Sequence, residues 1–184
     1  MRWNAKNIRK KLAGMKTNDR GKMIAFDCGE GRFNYRVVGV AIDDGRVLLH
    51  KAEADTFWTL PGGRGEFGEP AAHTLKREMR EELHADVEVS QLLWLVENFF
   101  DYSGLAYHEI ALYFLMRFSE ASGVTKRDKP FYGDEKGIPL TFEWVANDTD
   151  VLTKLNVLPS FLQSGLQSLP QTLQHIVHND RLQL

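Results

Sequence analysis

Glu78, Glu81 and Glu82 stand at spacing i, i+3 and i+4, which puts three carboxylates on one side of a helix if the segment is helical. Acids crowded like this repel one another unless a cation neutralises them. Hard divalent ions take oxygen ligands, and Mg²⁺ is usually held by a few carboxylates while it keeps waters and substrate phosphates. Just upstream, Leu60-Pro61-Gly62-Gly63-Arg64-Gly65 reads as a strand end running into a glycine loop, where main-chain groups can approach a ligand closely. A loop carbonyl and the helix carboxylates together make a site for metal ions and a polyphosphate.

On its own the run REMREEL is a solvated charged face. The fixed distance back to Glu69 and the glycines changes that reading. Gly63, Glu69, Arg77, Glu78, Glu81 and Glu82 fall in the frame G-x5-E-x7-R-E-U-x-E-E, with Met79 as the large apolar residue U. Six fixed letters, each at roughly 5–7% usage, meet in one frame by chance on the order of once in 10⁷ starting points. At these residues the chain resembles the Nudix box of the Nudix hydrolases, the MutT-type pyrophosphohydrolases. The flank Trp58-Thr59-Leu60-Pro61-Gly62-Gly63 is similar to the family's common approach to the box.

The resemblance implies an α/β/α sandwich with a mixed β-sheet, in which a loop–helix–loop box holds divalent metal, Mg²⁺ or Mn²⁺, against a diphosphate. It implies Glu78, Glu81 and Glu82 as metal ligands, with the carbonyl of Gly62 or Gly63 adding another. Arg77 would orient the glutamates and Glu69 would brace the box. Glu81 and Glu82 would stand nearest the chemistry, with Asp134, Glu135 or, as an outsider, Glu109 as an auxiliary acid. The pattern departs from the family at its end, where Glu81-Glu82-Leu83-His84-Ala85 replaces E-E-x-G-U. That glycine closes the helix at positive φ, which a non-glycine residue adopts at a cost of about 1 kcal/mol or more.

Several elements must position these groups. Ala72, Leu75, Met79 and Leu83 recur at helical spacing over residues 70–83, and Pro70 suits the first turn. Residues 36–43 and 46–51 flank Asp44-Gly45, a hairpin signal. Residues 56–60 read as a short strand, residues 87–100 as strand-rich, and residues 107–118 as a long apolar strand that should be central. Residues 119–139 are polar and read as a loop, residues 140–145 as a strand, and the remainder as helical, broken at Pro159 and Pro170. The expected organisation is a basic extension over 1–22, the hydrolase domain over 23–148, and a helical segment over 149–184 packed on it.

The 43% of hydrophobic residues suffices for a sizeable core, and no apolar run is long enough for a membrane span. A single cysteine, Cys28, excludes an intramolecular disulfide and fits a cytoplasmic location. The net charge of −2 hides an asymmetry: residues 1–22 sum to +7 and the rest to −9. Trp3, Ile8, Leu12 and Met15 fall on one helical side of that basic start, which reads first as a solvated or packed extension and could otherwise touch RNA, an acidic membrane surface or a substrate's phosphates. For a nucleotide substrate the aromatic candidates are Tyr35, Trp58, Phe100 and Tyr102, among a wider set of Phe33, Phe57, Phe99 and Tyr113. His108 reads as structural, and His175 and His178 as surface residues without acidic partners. The expected partners are a nucleotide-type small molecule, RNA through the basic start, and a second copy of the chain. Three functions fit: metal-dependent hydrolysis of a nucleoside diphosphate linked to a group X (ADP-ribose-like) or of a nucleoside triphosphate; removal of pyrophosphate from RNA 5′ ends; or non-catalytic nucleotide sensing, against which the intact glutamates argue.

Overall fold

The computed structural model describes residues 23–135 and 137–183. The basic start, with its amphipathic pattern and the contacts read for it, lies outside the described residues.

The two-fold alternation of the chain's apolar segments produces two sheets. The larger holds six strands: β1 (Ala25–Cys28), β2 (Gly31–Val40), β5 (Gly62–Arg64), β6 (Val87–Tyr102), β7 (Leu105–Phe118) and β10 (Gln174–Asn179). Their order is β1-β2-β7-β6-β10, with β5 also pairing β2. The sheet is mixed, because β2 runs parallel to β7 and β10 parallel to β6, while β6 and β7 form a long antiparallel hairpin. The smaller sheet, in the order β3-β4-β9-β8, is antiparallel throughout and consists of β3 (Ile42–Asp43), β4 (Arg46–Ala52), β8 (Phe131–Glu135) and β9 (Ile138–Ala146).

The expected apolar strand is central, between β2 and β6, and the box helix α1 (Ala71–Leu83) follows the glycine loop. Asp44 and Gly45 both take positive φ, 47° and 68°, as a two-residue hairpin turn with right-handed strand twist requires. Four expectations need correction. Residues 36–43 are not one strand, because the chain leaves the large sheet after Val40 and joins the small one at Ile42. Residues 56–60 form only isolated bridges, Thr59 to His50 and Trp58 to Val157, since they are shared between two different neighbours. The polar stretch 119–139 contains β8, an edge strand whose apolar anchor is Phe131 and which therefore shows no alternation to read. The tail is helical only in α2 (Thr149–Lys154) and α3 (Leu162–Gly165); residues 174–179 instead add β10 to the sheet edge. That strand is mostly exposed, so its sequence carries little apolar signal.

One face of the large sheet packs on α1: Val37 and Met116 meet Leu75 and Met79, with Leu48 and Phe142 of the small sheet completing the cluster. The other face, with Val38, Val96 and Ala111, packs on Trp58, Leu60, Leu152 and Leu162 from the loops and from α2 and α3. Helices thus cover both faces, the α/β/α arrangement. Residues on β2 divide between the two layers by parity, so Tyr35 and Val37 face α1 while Asn34, Arg36 and Val38 face away.

Helix α1 ends as the departure from the box pattern implies. His84 sits in the left-handed region, φ 53° and ψ 35°, its N–H bonded to the Arg80 carbonyl, and Ala85 N–H returns to Met79. A side chain there strains the backbone by about 1–2 kcal/mol. The gain from glycine is partly offset by the greater freedom it gives the unfolded chain. His84→Gly should therefore stabilise the protein by about 0.5–1 kcal/mol in chemical denaturation. A loss of stability would mean that the imidazole makes a compensating contact.

Candidate active site

The helix turns its acids two ways. Glu78 and Glu82 lie on the buried face with Thr74, Leu75 and Met79, while Glu81 is half exposed. Arg77 holds the group together. Its Nε and Nη2 donate to the two oxygens of Glu69, both at 3.1 Å, and its Nη1 donates to Glu78 Oε1 at 2.7 Å and Glu81 Oε2 at 3.2 Å. Nη2 also reaches the Arg64 carbonyl at 3.2 Å, tying the helix to β5. Thr74 Oγ1 donates to Glu69 Oε2 at 2.8 Å. Burial pushes the Glu69 carboxyl up, but the bonds from Arg77 and Thr74 outweigh it and leave the group below its usual range.

The glycine loop is shaped by what lies against it. A Cβ on Gly63 would run into the Glu78 carboxylate, and one on Gly62, at φ 146°, into the backbone of Val37 and Val38. Both glycines are therefore required: Gly63 to seat Glu78 against the main chain, Gly62 for its conformation and close approach. From the opposite face of β2, Arg36 Nη2 donates to the Gly62 carbonyl at 3.2 Å. Arg36 has no ion pair within 4.0 Å among the described residues, yet its charge acts on Glu78, Glu82, Glu109 and His50.

Glu82 is the most unusual group. It is 3% exposed, and neither carboxylate oxygen has a hydrogen-bond partner among the described residues. Burial, followed by the charge of Glu78, pushes its pKa up to about 9. Burial also raises Glu78, with the bond from Arg77 opposing. An unpartnered buried carboxylate costs several kcal/mol unless it is neutralised. The donor set fits a hard divalent cation, which favours carboxylate and carbonyl oxygens. Among the described residues no three acidic, histidine or cysteine side chains converge into a ready cage, because Arg77 holds Glu78 and Glu81 on its own side.

The other expected residues are scattered. Glu135 is exposed on β8 and adds its negative charge to the field on Glu82; Asp134 accepts the Gly137 N–H and serves the turn. Glu109 is 5% exposed on β7, on the far face from α1. Tyr35 lies on the α1 face beside Gly65 and Glu69. Trp58 and Tyr113 are core residues, with Lys51 over the Trp58 ring at 5.0 Å. Phe100 stacks on Tyr107, and Tyr102 at the rim donates to Asp55 Oδ1 at 3.0 Å. His108 is exposed against Phe33 and Phe99. Both tail histidines have acidic partners after all: His175 meets Glu97 at 2.8 Å and His178 meets Asp180 at 2.9 Å, since β10 runs beside β6.

Sequence reasoning missed Arg36, Asn34, Asn98 and His50. The first three are ordinary polar residues on β2 and β6 that belong to no motif. His50 is buried, and burial together with the Arg36 charge lowers its pKa to about 3.

The state of Glu82 has a measurable consequence in chelator. The folded carboxyl keeps its proton up to about pH 9, whereas the unfolded one releases it near 4.5. Between these values the folded state binds the extra proton, so this group's contribution to stability falls as pH rises. Glu82→Gln lacks that slope. Its melting temperature in EDTA should exceed the parent's by a margin that widens from pH 5 to pH 9, and a constant margin would contradict the burial argument.

The chain is similar to known proteins. The NUDIX domain matches residues 33–149. A Bacillus subtilis (strain 168) protein provisionally named ADP-ribose pyrophosphatase YjhB is 34% identical over 62 residues, which is 34% of this chain but only 30% of that protein's length. The fold is similar to that of the "mMutator MutT protein" from Bacillus halodurans, with TM-score 0.52 and 19% identity over 79% of this chain and 89% of that one. It is also similar to a NUDIX hydrolase from Nitrosomonas europaea, with TM-score 0.50 and 16% identity over 90% and 99% of the two chains. The domain match runs from β2 to the first residue of α2 and takes in the whole glycine-loop helix: the chain belongs to the Nudix family.

Proposed function

We propose that the chain hydrolyses a phosphoanhydride bond in a nucleoside diphosphate linked to a second group, or in a nucleoside triphosphate, with divalent metal, Mg²⁺ or Mn²⁺, as cofactor. The observation that carries the reading is the Glu82 carboxylate, buried without a hydrogen-bond partner among the described residues, one helical turn from Glu78, which itself lies against Gly63 of the glycine loop. Glu78, Glu81 and Glu82 would hold the metal, with the Gly62 or Gly63 carbonyl. Bound there, the cation supplies Lewis-acid polarisation of a phosphoryl oxygen and lowers the pKa of an attacking water.

The chain's own residues do the rest. Arg77 keeps Glu78 and Glu81 in place through two bonds from one nitrogen, while its bidentate grip on Glu69 fixes the guanidinium plane. Glu81, the solvent-facing member of the trio, would receive a proton from water, with Glu135, whose charge acts on Glu82, as an auxiliary acid. Arg36 supplies positive charge on the far side of the Gly62 carbonyl, where an anionic phosphate would be favoured. The products would be a nucleoside monophosphate with either pyrophosphate or the phosphorylated second group.

A phosphate- and pyrophosphate-release screen with Mg²⁺ and Mn²⁺ over nucleoside triphosphates, ADP-ribose, NADH and sugar nucleotides tests the reading. Glu81→Gln and Glu82→Gln should each lower turnover by about 10²–10⁴-fold. Unchanged metal-dependent hydrolysis in both variants would sink it. Gly63→Ala should also lower turnover, by displacing Glu78, without the loss of cooperative melting expected of a core defect.

A further inference from the structure

Outside the box, the sheet lines up a second polar group. Asn34 on β2 is the register partner of Glu109 on β7, and Glu109 that of Asn98 on β6, so the three side chains form one row across adjacent strands. All three are buried, at 5%, 5% and 4% exposure. Asn34 and Asn98 each donate a hydrogen bond to the Glu109 carboxyl from either side. Their carbonyl oxygens are left with no partner among the described residues. A row built only for stability would satisfy these acceptors, because each one left bare costs free energy. The box chemistry does not use them.

The row adjoins the candidate active site. Asn34 lies two residues, about 7 Å, from Arg36 along the same face of β2. Arg36 in turn has Arg64 as its register partner on β5, and the charges of both act on Glu109. Like charges directly opposite each other are unfavourable in a sheet unless an anion lies between them. A substrate with phosphate near these arginines would therefore carry its next group toward the row. The row's outer neighbours on this face are Phe100 and Tyr107, stacked on each other at 4.9 Å with their planes 9° apart. Beyond them Tyr102 closes the rim through one exposed bond to Asp55, a contact that can yield to a ligand.

We propose that Asn34, Glu109 and Asn98 form a subsite for a sugar carried by the diphosphate, binding its hydroxyl groups; this rests on the hydrolase reading above. The bare groups are two acceptors separated by a whole carboxyl, wider apart than neighbouring donors on one nucleobase edge. Hydroxyls both donate and accept, so a polyol can satisfy the amide oxygens and Glu109 together. A flat base would need a free ring to stack on, and the two nearest rings are already paired.

The test compares ADP-ribose and UDP-glucose with ATP and UTP, which keep the same nucleosides but replace the sugar by phosphate. Asn34→Leu and Asn98→Leu should lower kcat/KM for the two sugar nucleotides by about tenfold or more, through KM, the scale of a lost hydrogen bond, and change ATP and UTP by less than about threefold. Asn34→Ser and Asn98→Ser carry the same comparison if a leucine variant fails to melt cooperatively. Ribose 5-phosphate in EDTA should raise the melting temperature of the parent and not of the variants. Equal losses on all four substrates, or losses that follow adenine against uracil, would overturn the sugar site while leaving the hydrolase. A parent that cleaves none of the four yet is stabilised by ribose 5-phosphate, with the variants unresponsive, would remove the hydrolase and support the sugar site.

Discussion

One guanidinium governs the geometry of the site. Three acids at i, i+3 and i+4 on a short helix, with Glu69 beside them, would splay apart in the absence of a counter-charge. Arg77 meets Glu69, Glu78 and Glu81 at once and reaches through to the main chain of β5. It converts a repulsive cluster into a braced one, and it joins helix to loop. Lysine would not replace it, because a point charge with no fixed plane cannot meet two carboxylates and a carbonyl in different directions. The strong upward push on the Arg77 pKa has this cause: burial opposes its charge, but the bonds to Glu69 and Glu78 more than restore it.

The sheet supplies the second constraint. β2 presents alternate residues to two different layers, so adjacent positions take on unrelated work. Val37 packs under α1, while Arg36 crosses to the other face and returns to the Gly62 carbonyl. β5 pairs with β2 over only three residues, and two of its residues are the glycines that let Glu78 and the β2 backbone come close. A short glycine strand at this position brings the carboxylates of one layer within electrostatic reach of Arg36 on the other, whose charge also acts on Glu109.

What the sequence disclosed follows the range of the interactions involved. The box was legible because its residues lie within one loop and one helix, where spacing maps directly onto geometry. The central strand β7 was legible because a strand covered on both faces over most of its length is mostly apolar. Asn34, Arg36 and Asn98 were not, since their meaning depends on register: each is an ordinary polar residue until β2, β7 and β6 are laid side by side. β10 was missed for a related reason. An edge strand with one inward stripe, Ile176 and His178, looks no different from a polar tail until its partner is known. The pairing of His178 with Asp180 and Ser160 likewise appears only when the tail folds back.

The two buried carboxyls, Glu82 and Glu109, show how one sheet and one helix can separate reaction from recognition. Both are raised by burial, and both feel Arg36. Their compensation differs. Glu109 receives two amide hydrogen bonds, so its charge or its proton is managed by neutral neighbours that a ligand can rearrange. Glu82 receives none and has Glu78, a second acid, as its strongest charged neighbour. No neutral hydrogen-bonding ligand relieves two adjacent carboxylates, whereas a dication does so directly. The unmet need at Glu82 is therefore positive charge, and the unmet need in the row is hydrogen-bond donors. Arg36 stands between them, and a substrate spanning both would present its anionic part to the first and its polar, uncharged part to the second.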